Sequence, residues 1–291
     1  MPQPLALMGT MVLSLAGALA IDWLGHRAGL TPPGFVVPEG REARVWGALV
    51  RRSLAIMLLA AVLWLGVFGA LATLGAAPPA DLTGTGVGVL FLLHLVFAAA
   101  IVLWYLLGFA GFRSLSLPRV LGLETASLPR ELLVGLGAGV GAWVVVIAVL
   151  LVVGLVIVAT GGEDALPREP PAMIPWIAGL PIAVRLAVSL SAGFFEELFF
   201  RGFLQPRTGV ALSTALFVLA HANYEQPLML VGIALLSLIF AQLVRWRRNI
   251  WPAIVAHALF DAVQLLVVVP MALEFLERGE AGPWLPIAGL G

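Results

Sequence analysis

The chain alternates long apolar runs with short clusters of charged residues, Pro and Gly. A membrane-spanning helix needs about 20 mostly apolar residues, and eight stretches come close to that requirement. The first four run at about Leu5–Leu24, Ser53–Ala76, Gly84–Phe112 and Leu132–Thr160. The fifth and sixth are placed at about Ala183–Arg207 and Gly209–Asn223, and the last two at about Leu228–Arg245 and Ile250–Phe275. The pattern predicts an all-α, polytopic integral membrane protein of about eight transmembrane helices. No internal repeat or low-complexity tail stands out. The first stretch has no cation before Arg27, so it is expected to span rather than to be a cleaved signal peptide.

Composition strengthens this reading. Of 291 residues, 61% are hydrophobic and 11% charged, less than half the charged fraction of roughly a quarter in a globular domain. Such a chain is neither disordered nor a disulfide scaffold, and it offers no basic face for nucleic acid; its expected surroundings are the lipid bilayer. The absence of Cys excludes thiol catalysis and thiolate metal sites. The sixteen cations, all Arg, balance sixteen acids.

Where those Arg residues fall predicts an orientation. Arg27, Arg41, Arg44, Arg51 and Arg52 lie between spans one and two, and Arg113, Arg119 and Arg130 between three and four. Arg201 and Arg207 end span five, and Arg245, Arg247 and Arg248 separate seven from eight. The opposite loops are more acidic, with Asp81, Glu163, Asp164, Arg168, Glu169 and Glu225, and a tail carrying Glu274, Glu277, Arg278 and Glu280. Both termini are therefore expected outside the cytoplasm, in a multi-pass protein of the cell membrane.

An ionisable group near the bilayer centre costs about 2.5–3.5 kcal/mol on insertion scales and is a functional hypothesis by default. Span three carries His94, span five Glu196, Glu197 and Arg201, span six His221, and span eight His257 and Asp261. Counting from the span ends brings the groups of spans five, six and eight to similar depth. Residues four apart share a helix face, which pairs Glu197 with Arg201, Phe217 with His221, and His257 with Asp261. Glu196 is turned about 100° from Glu197, so the two carboxylates need not share a task. A Glu that takes a proton from water, beside imidazoles that bond the water or an oxyanion, is one chemical reading. His94, amid Leu and Phe, is read as structural or as lining a cavity.

These residues resemble the CAAX-protease and bacteriocin-processing family of intramembrane endopeptidases. Glu196-Glu197-Leu-Phe-Phe-Arg201 is similar to its EExxxR motif, Phe217-Val-Leu-Ala-His221 to FxxxH, and His257-Ala-Leu-Phe-Asp261 to HxxxN/D. The likeness covers about residues 183–265. It implies a helical membrane peptidase with a catalytic cavity inside the bilayer, acting on a membrane-associated protein or peptide. Under it Glu196 is the general base, His221 helps hold the water, and His257 with Asp261 stabilises the oxyanion or orients the site. Glu197 and Arg201 become a structural or substrate-contacting pair, and Phe217 a wall. The implied mechanism requires no cofactor; Zn held by His221, His257 and Glu196 is the alternative. Asp261 stands where the eukaryotic members have Asn, and an ionised carboxylate cannot donate a hydrogen bond. Asn223 is a minor candidate for the missing amide donor.

Two other classes share these residues: a transporter relaying protons through Glu196, His221 and Asp261, and a non-enzymatic immunity protein. By segments, 1–130 holds transmembrane helices without a nameable motif, 131–276 the catalytic-type core, and 277–291 a short tail. Gly84, Gly86 and Gly88 open a span with no preceding strand, so a nucleotide-binding reading fails. Gly135, Gly137, Gly139 and Gly141 alternate along span four, where small residues permit close helix packing.

Overall fold

The structure is a computed structural model that describes residues 3–37, 42–73, 85–111, 115–161, 173–224 and 226–278. Pro78 and Pro79, between the second and third expected spans, and several loop charges (Arg41, Arg113, Asp81, Glu163, Asp164, Arg168, Glu169, Glu225, Glu280) lie outside those residues, as does nearly all of the 277–291 tail. Every described regular element is helical. The elements are α1 (Gln3–Arg27), α2 (Glu42–Leu63), α3 (Thr85–Phe109), the short α4 (Leu117–Val120) and the long α5 (Leu128–Gly161). There follow α6 (Met173–Ala178), α7 (Ile182–Glu197), α8 (Gln205–Ala220), α9 (Pro227–Arg247), α10 (Trp251–Val263) and α11 (Val269–Glu277).

Six helical stretches are long and apolar enough to cross a membrane: 4–27, 45–72, 86–109, 128–161, 227–247 and 251–275. Large apolar side chains such as Met57, Leu133, Val152 and Leu155 are exposed on them. Contiguous apolar surface of this kind is a liability in water and the normal outer face of a bundle in lipid. The chain is a multi-pass membrane protein.

Expected spans five and six are not among those six, and the reason is local. α7 runs on through a wide π-helical turn (Leu198–Leu204) into the first residues of α8, forming one rod. That rod carries Arg185, Glu196, Glu197, Arg201 and Arg207, too many charges for a simple lipid-facing span. The chain then breaks at Gly209, whose φ of 78° is the left-handed region that glycine enters without penalty. The remaining stretch to Ala220 is about 16 Å long at 1.5 Å per residue, roughly half the hydrocarbon thickness.

The amino-terminal helices share one core with this rod. Phe97 of α3 stacks on Phe199 at 4.8 Å, and Trp104 meets Phe203 edge-on at 4.9 Å. Arg207 lies over both Trp104 and Phe203, at 4.5 and 4.1 Å from the ring centres. Asp22 of α1 accepts two bonds from Arg52 of α2, the nearer at 2.7 Å. At the same end of the molecule Arg247 closes α9 onto Glu131 of α5, and Trp251 Nε1 donates to the Leu123 carbonyl at 2.9 Å.

Helices α5, α7 and α10 form the frame of the site, and small residues set how closely they approach. A Cβ at Gly135 would stand 2.6 Å from the Val255 Cβ, and one at Gly139 would stand 3.1 Å from the Ala256 Cα. Gly137 and Gly141 meet nothing within 4 Å, so only half of the alternating glycines serve packing. Gly193 of α7 faces α10 just as tightly, its absent Cβ falling 2.7 Å from the Ala258 nitrogen. Backbone cannot move aside as a side-chain tip can. Gly193→Ala is therefore expected to destabilise the fold by about 1–3 kcal/mol, the usual cost of overpacking, read as a lower thermal transition in detergent. Gly137→Ala on the open face of α5 is expected to leave that transition in place.

Candidate active site

Glu196 and Glu197 sit at the end of α7, immediately before the π-helical turn. In such a turn the backbone bonds from i+5 to i, as the Gln205 N–H does to the Phe200 carbonyl. Wide turns of this sort widen the helix locally and often occur at functional sites. Because successive residues are turned by about 100° on a helix, the adjacent carboxylates leave α7 in different directions.

Glu197 points into the protein. Its side chain and that of Arg201 are both 0% exposed, with Arg201 Nε 3.4 Å from Glu197 Oε2. Arg201 also donates to Ser237 Oγ of α9 at 3.2 Å, and its guanidinium lies 4.8 Å from the Phe217 ring centre. The pair expected from i, i+4 spacing is present. Arg201 does not line the cavity described below, so of the two expected roles its surroundings match the structural one. Glu197 has a second partner that spacing did not announce: its Oε1 lies 3.0 Å from His257 Nδ1 of α10.

His257 is thus held from both sides. Its Nε2 lies 3.5 Å from Asp261 Oδ2, one turn further along α10. The ring also stacks on Phe240 at 5.3 Å and meets Phe217 edge-on at 6.0 Å. Four contacts, three of them from helices other than its own, leave the imidazole little freedom.

Glu196 points the other way, into a cavity of about 220 Å³ lined also by His94, His221, Tyr224, His257 and Asp261. His94 Nε2 of α3 is 3.6 Å from Glu196 Oε1, and His221 Nε2 is 4.0 Å from Glu196 Oε2. That Oε2 is buried without a hydrogen-bond partner in the protein. Elsewhere the walls are mostly apolar, with Val146 and Leu150 of α5 and Val188 and Ala192 of α7.

Proton positions follow from what the partners can do. His221 Nδ1 lies 2.8 Å from the Phe217 carbonyl, which only accepts, so Nδ1 carries a proton. In neutral His221 the Nε2 lone pair then faces Glu196. The Ser191 hydroxyl gives its proton to the Val188 carbonyl at 3.0 Å and so accepts from His94 Nδ1 at 3.1 Å. His94 is further fixed by stacking on Phe195 at 5.9 Å.

The structure therefore brings together Glu196, His221, His257 and Asp261, with Glu197, Arg201 and Phe217 around them. Asn223 is not brought in: it is exposed on the turn Ala222–Tyr224 and does not line the cavity. Its neighbour Tyr224 lines the cavity and stacks on His221 at 5.9 Å. His94 does line the cavity, as one of its two expected places allowed, and it also faces the Glu196 carboxylate. Being ionisable within an apolar span was the signal for it.

Among the described residues no three His, Asp or Glu side chains are grouped so as to hold a metal ion. His257, one of the three expected Zn ligands, has its two ring nitrogens turned to Glu197 and Asp261. As arranged, Glu196, His221 and His257 do not fit a tetrahedral Zn set, which needs three or four donors converging at about 2.0–2.2 Å.

Helix, cavity and paired acid and imidazole groups define a membrane protein with a buried polar site in an otherwise apolar bundle. Residues 178–263 match the family model described as "Type II CAAX prenyl endopeptidase Rce1-like". All three motifs lie inside that stretch, and this is the family they resemble. Among curated proteins, the uncharacterized protein YpbD of Bacillus subtilis (strain 168) is similar, at 29% identity over 77 residues. That covers 26% of this chain and 41% of the relative, so the chain spans about two fifths of the relative's length. No solved structure matches.

The two adjacent carboxylates should respond differently to loss of charge. Glu197→Gln leaves the Arg201 guanidinium buried without its counter-charge, a change that costs about 3–5 kcal/mol. It is expected to lower the thermal transition in detergent sharply, whereas Glu196→Gln, facing the cavity, is expected to leave it within the scatter of replicate melts.

Proposed function

We propose that this protein is an intramembrane endopeptidase that hydrolyses a peptide bond in a membrane-associated protein or peptide, with Glu196 as the base. The observation that carries the reading is the gap of 4.0 Å between Glu196 Oε2 and His221 Nε2, at the wall of the cavity. A polar contact longer than about 3.5 Å is the place to look for a bridging water. A water there gives one hydrogen to the carboxylate and the other to the imidazole lone pair. Its own lone pair is then free to meet a carbonyl carbon.

In the reaction Glu196 takes a proton from this water as its oxygen adds to the scissile carbonyl carbon. The carbonyl oxygen becomes an oxyanion. His257 is the donor: with Nδ1–H given to Glu197, its Nε2 and Asp261 Oδ2 face one another at 3.5 Å, and the proton between them hydrogen-bonds to the oxyanion without being transferred. The C–N bond then breaks and Glu196 returns its proton to the leaving amine. Glu197 and Arg201 act through His257 and do not touch substrate. His94 Nε2 stands 3.6 Å from the other oxygen of Glu196 and walls that side of the carboxylate. This route uses side chains alone. An Asn at position 261 would still accept from His257 and offer its amide hydrogens, so Asp261 needs no special chemistry here.

Reconstituted protein offered a panel of quenched fluorogenic peptides carrying a membrane anchor tests the reading. Glu196→Gln is expected to lose about 10²–10⁴-fold in rate, the usual worth of a general base, while inserting normally. His221→Ala and His257→Ala are expected to be similarly inactive, and Asp261→Asn to keep more activity than Asp261→Ala. Cleavage by Glu196→Gln at the parent rate would overturn the assignment, and proton flux in liposomes without any cleavage would overturn the peptidase. A zinc chelator such as phenanthroline is expected to leave the rate unchanged.

A further inference from the structure

The two ends of the bundle differ in charge and in packing, and together the differences say from which side the cavity is reached. One end gathers the last turns of α1, of α3, of α9 and of the rod that begins with α7, together with the starts of α2, α5 and α10. Contacts tie these together: Asp22 to Arg52, the Gly122 carbonyl to the Ile250 nitrogen, and Glu131 to Arg247. Arg27, Arg51, Arg52, Arg119, Arg130, Arg207, Arg245, Arg247 and Arg248 lie toward it. Among the described residues the opposite end holds Arg185, bound to the Leu265 carbonyl, and Arg278, paired with Glu274. By the bias of cationic loops toward the cytoplasm, the Arg-rich end is the cytoplasmic one.

That end is closed. Gly135 and Gly139 let α5 lie against α10, and Phe199, Phe200, Phe203 and Leu204 of the rod are buried in one core with Ile250 and Ile254 of α10. Beyond Gly139, toward the other end, α5 presents Val146 and Leu150 in place of glycine, and the cavity begins there. It continues past Leu90 near the start of α3, Tyr224 and Met229 near the start of α9, and Leu265 beyond α10. Those residues all belong to the Arg-poor end.

We infer that the cavity takes its substrate from the non-cytoplasmic side, as an extended, mainly apolar peptide segment lying in or against the outer leaflet. The apolar walls suit apolar side chains, and Glu196 and Asp261 sit at the inner end of the path, where the aromatic plug of the rod stops further passage. A segment presented from the cytoplasm would meet that plug. The word substrate rests on the peptidase reading; the side of access does not.

The chain has no Cys, so single thiols report position without background. Ser127→Cys and Thr160→Cys mark the two ends of α5, both at exposed positions. Met229→Cys places a thiol in the cavity, and Leu90→Cys on α3 serves the same purpose should Met229→Cys fail to fold. Each variant is treated with a membrane-impermeant maleimide in sealed right-side-out vesicles and in inverted ones. Thr160→Cys and the cavity variants are expected to label in right-side-out vesicles, and Ser127→Cys only in inverted ones. Cavity thiols that label with Ser127→Cys, or that label from neither side, overturn the inference. So does Thr160→Cys labelling from the cytoplasm. Expected labelling in a protein that cuts no peptide keeps the side of access and removes the peptidase. Reversed labelling in a protein that cleaves does the opposite.

Discussion

The arrangement turns on one fully buried carboxylate. Glu197 stands between the Arg201 guanidinium on its own rod and the His257 ring on α10. Away from water, each of those groups would be costly without it, and breaking such a set leaves an uncompensated charge. Because its partners come from two elements, the carboxylate fixes how α7 is rotated against α10. That rotation sends Glu196, its neighbour in sequence, toward the cavity. One acid is spent on structure and the other is thereby aimed, a division of labour that adjacent positions on a helix make possible.

Close packing around the site makes this aim durable. Gly193, Gly135 and Gly139 bring α7 and α5 tightly against α10, while Val146 and Leu150, further along α5, line the cavity. Small residues matter more in lipid than in water, because apolar surface alone gives helices no reason to prefer one another over acyl chains.

The helices before residue 112 are joined to this frame. Phe97 and Trp104 pack on the π-helical turn, and His94 reaches Glu196 from α3. The family match begins at residue 178, so His94 comes from a part of the chain that the match does not describe. The peptidase-like motifs and the amino-terminal helices thus contribute to one cavity.

Much of this was legible in the residues themselves. Apolar runs and scarce charges determine a helical membrane protein, because lipid leaves the backbone no other way to satisfy its hydrogen bonds. Spacings of four determine the Glu197–Arg201 and His257–Asp261 pairs, which one helix face suffices to form. The break near residue 208 was visible in Arg207 and Gly209, although the charges of the rod and the short stretch after it depart from two ordinary spans. Other features belong to the tertiary structure alone. Glu197 with His257 is a contact across 60 positions, and Glu196 with His94 one across about a hundred. Periodicity fixes which residues share a face of one helix but not how that helix is rotated against its neighbours. The packing of α3, α7, α8 and α10 made that choice, bringing His94 in and leaving Asn223 out.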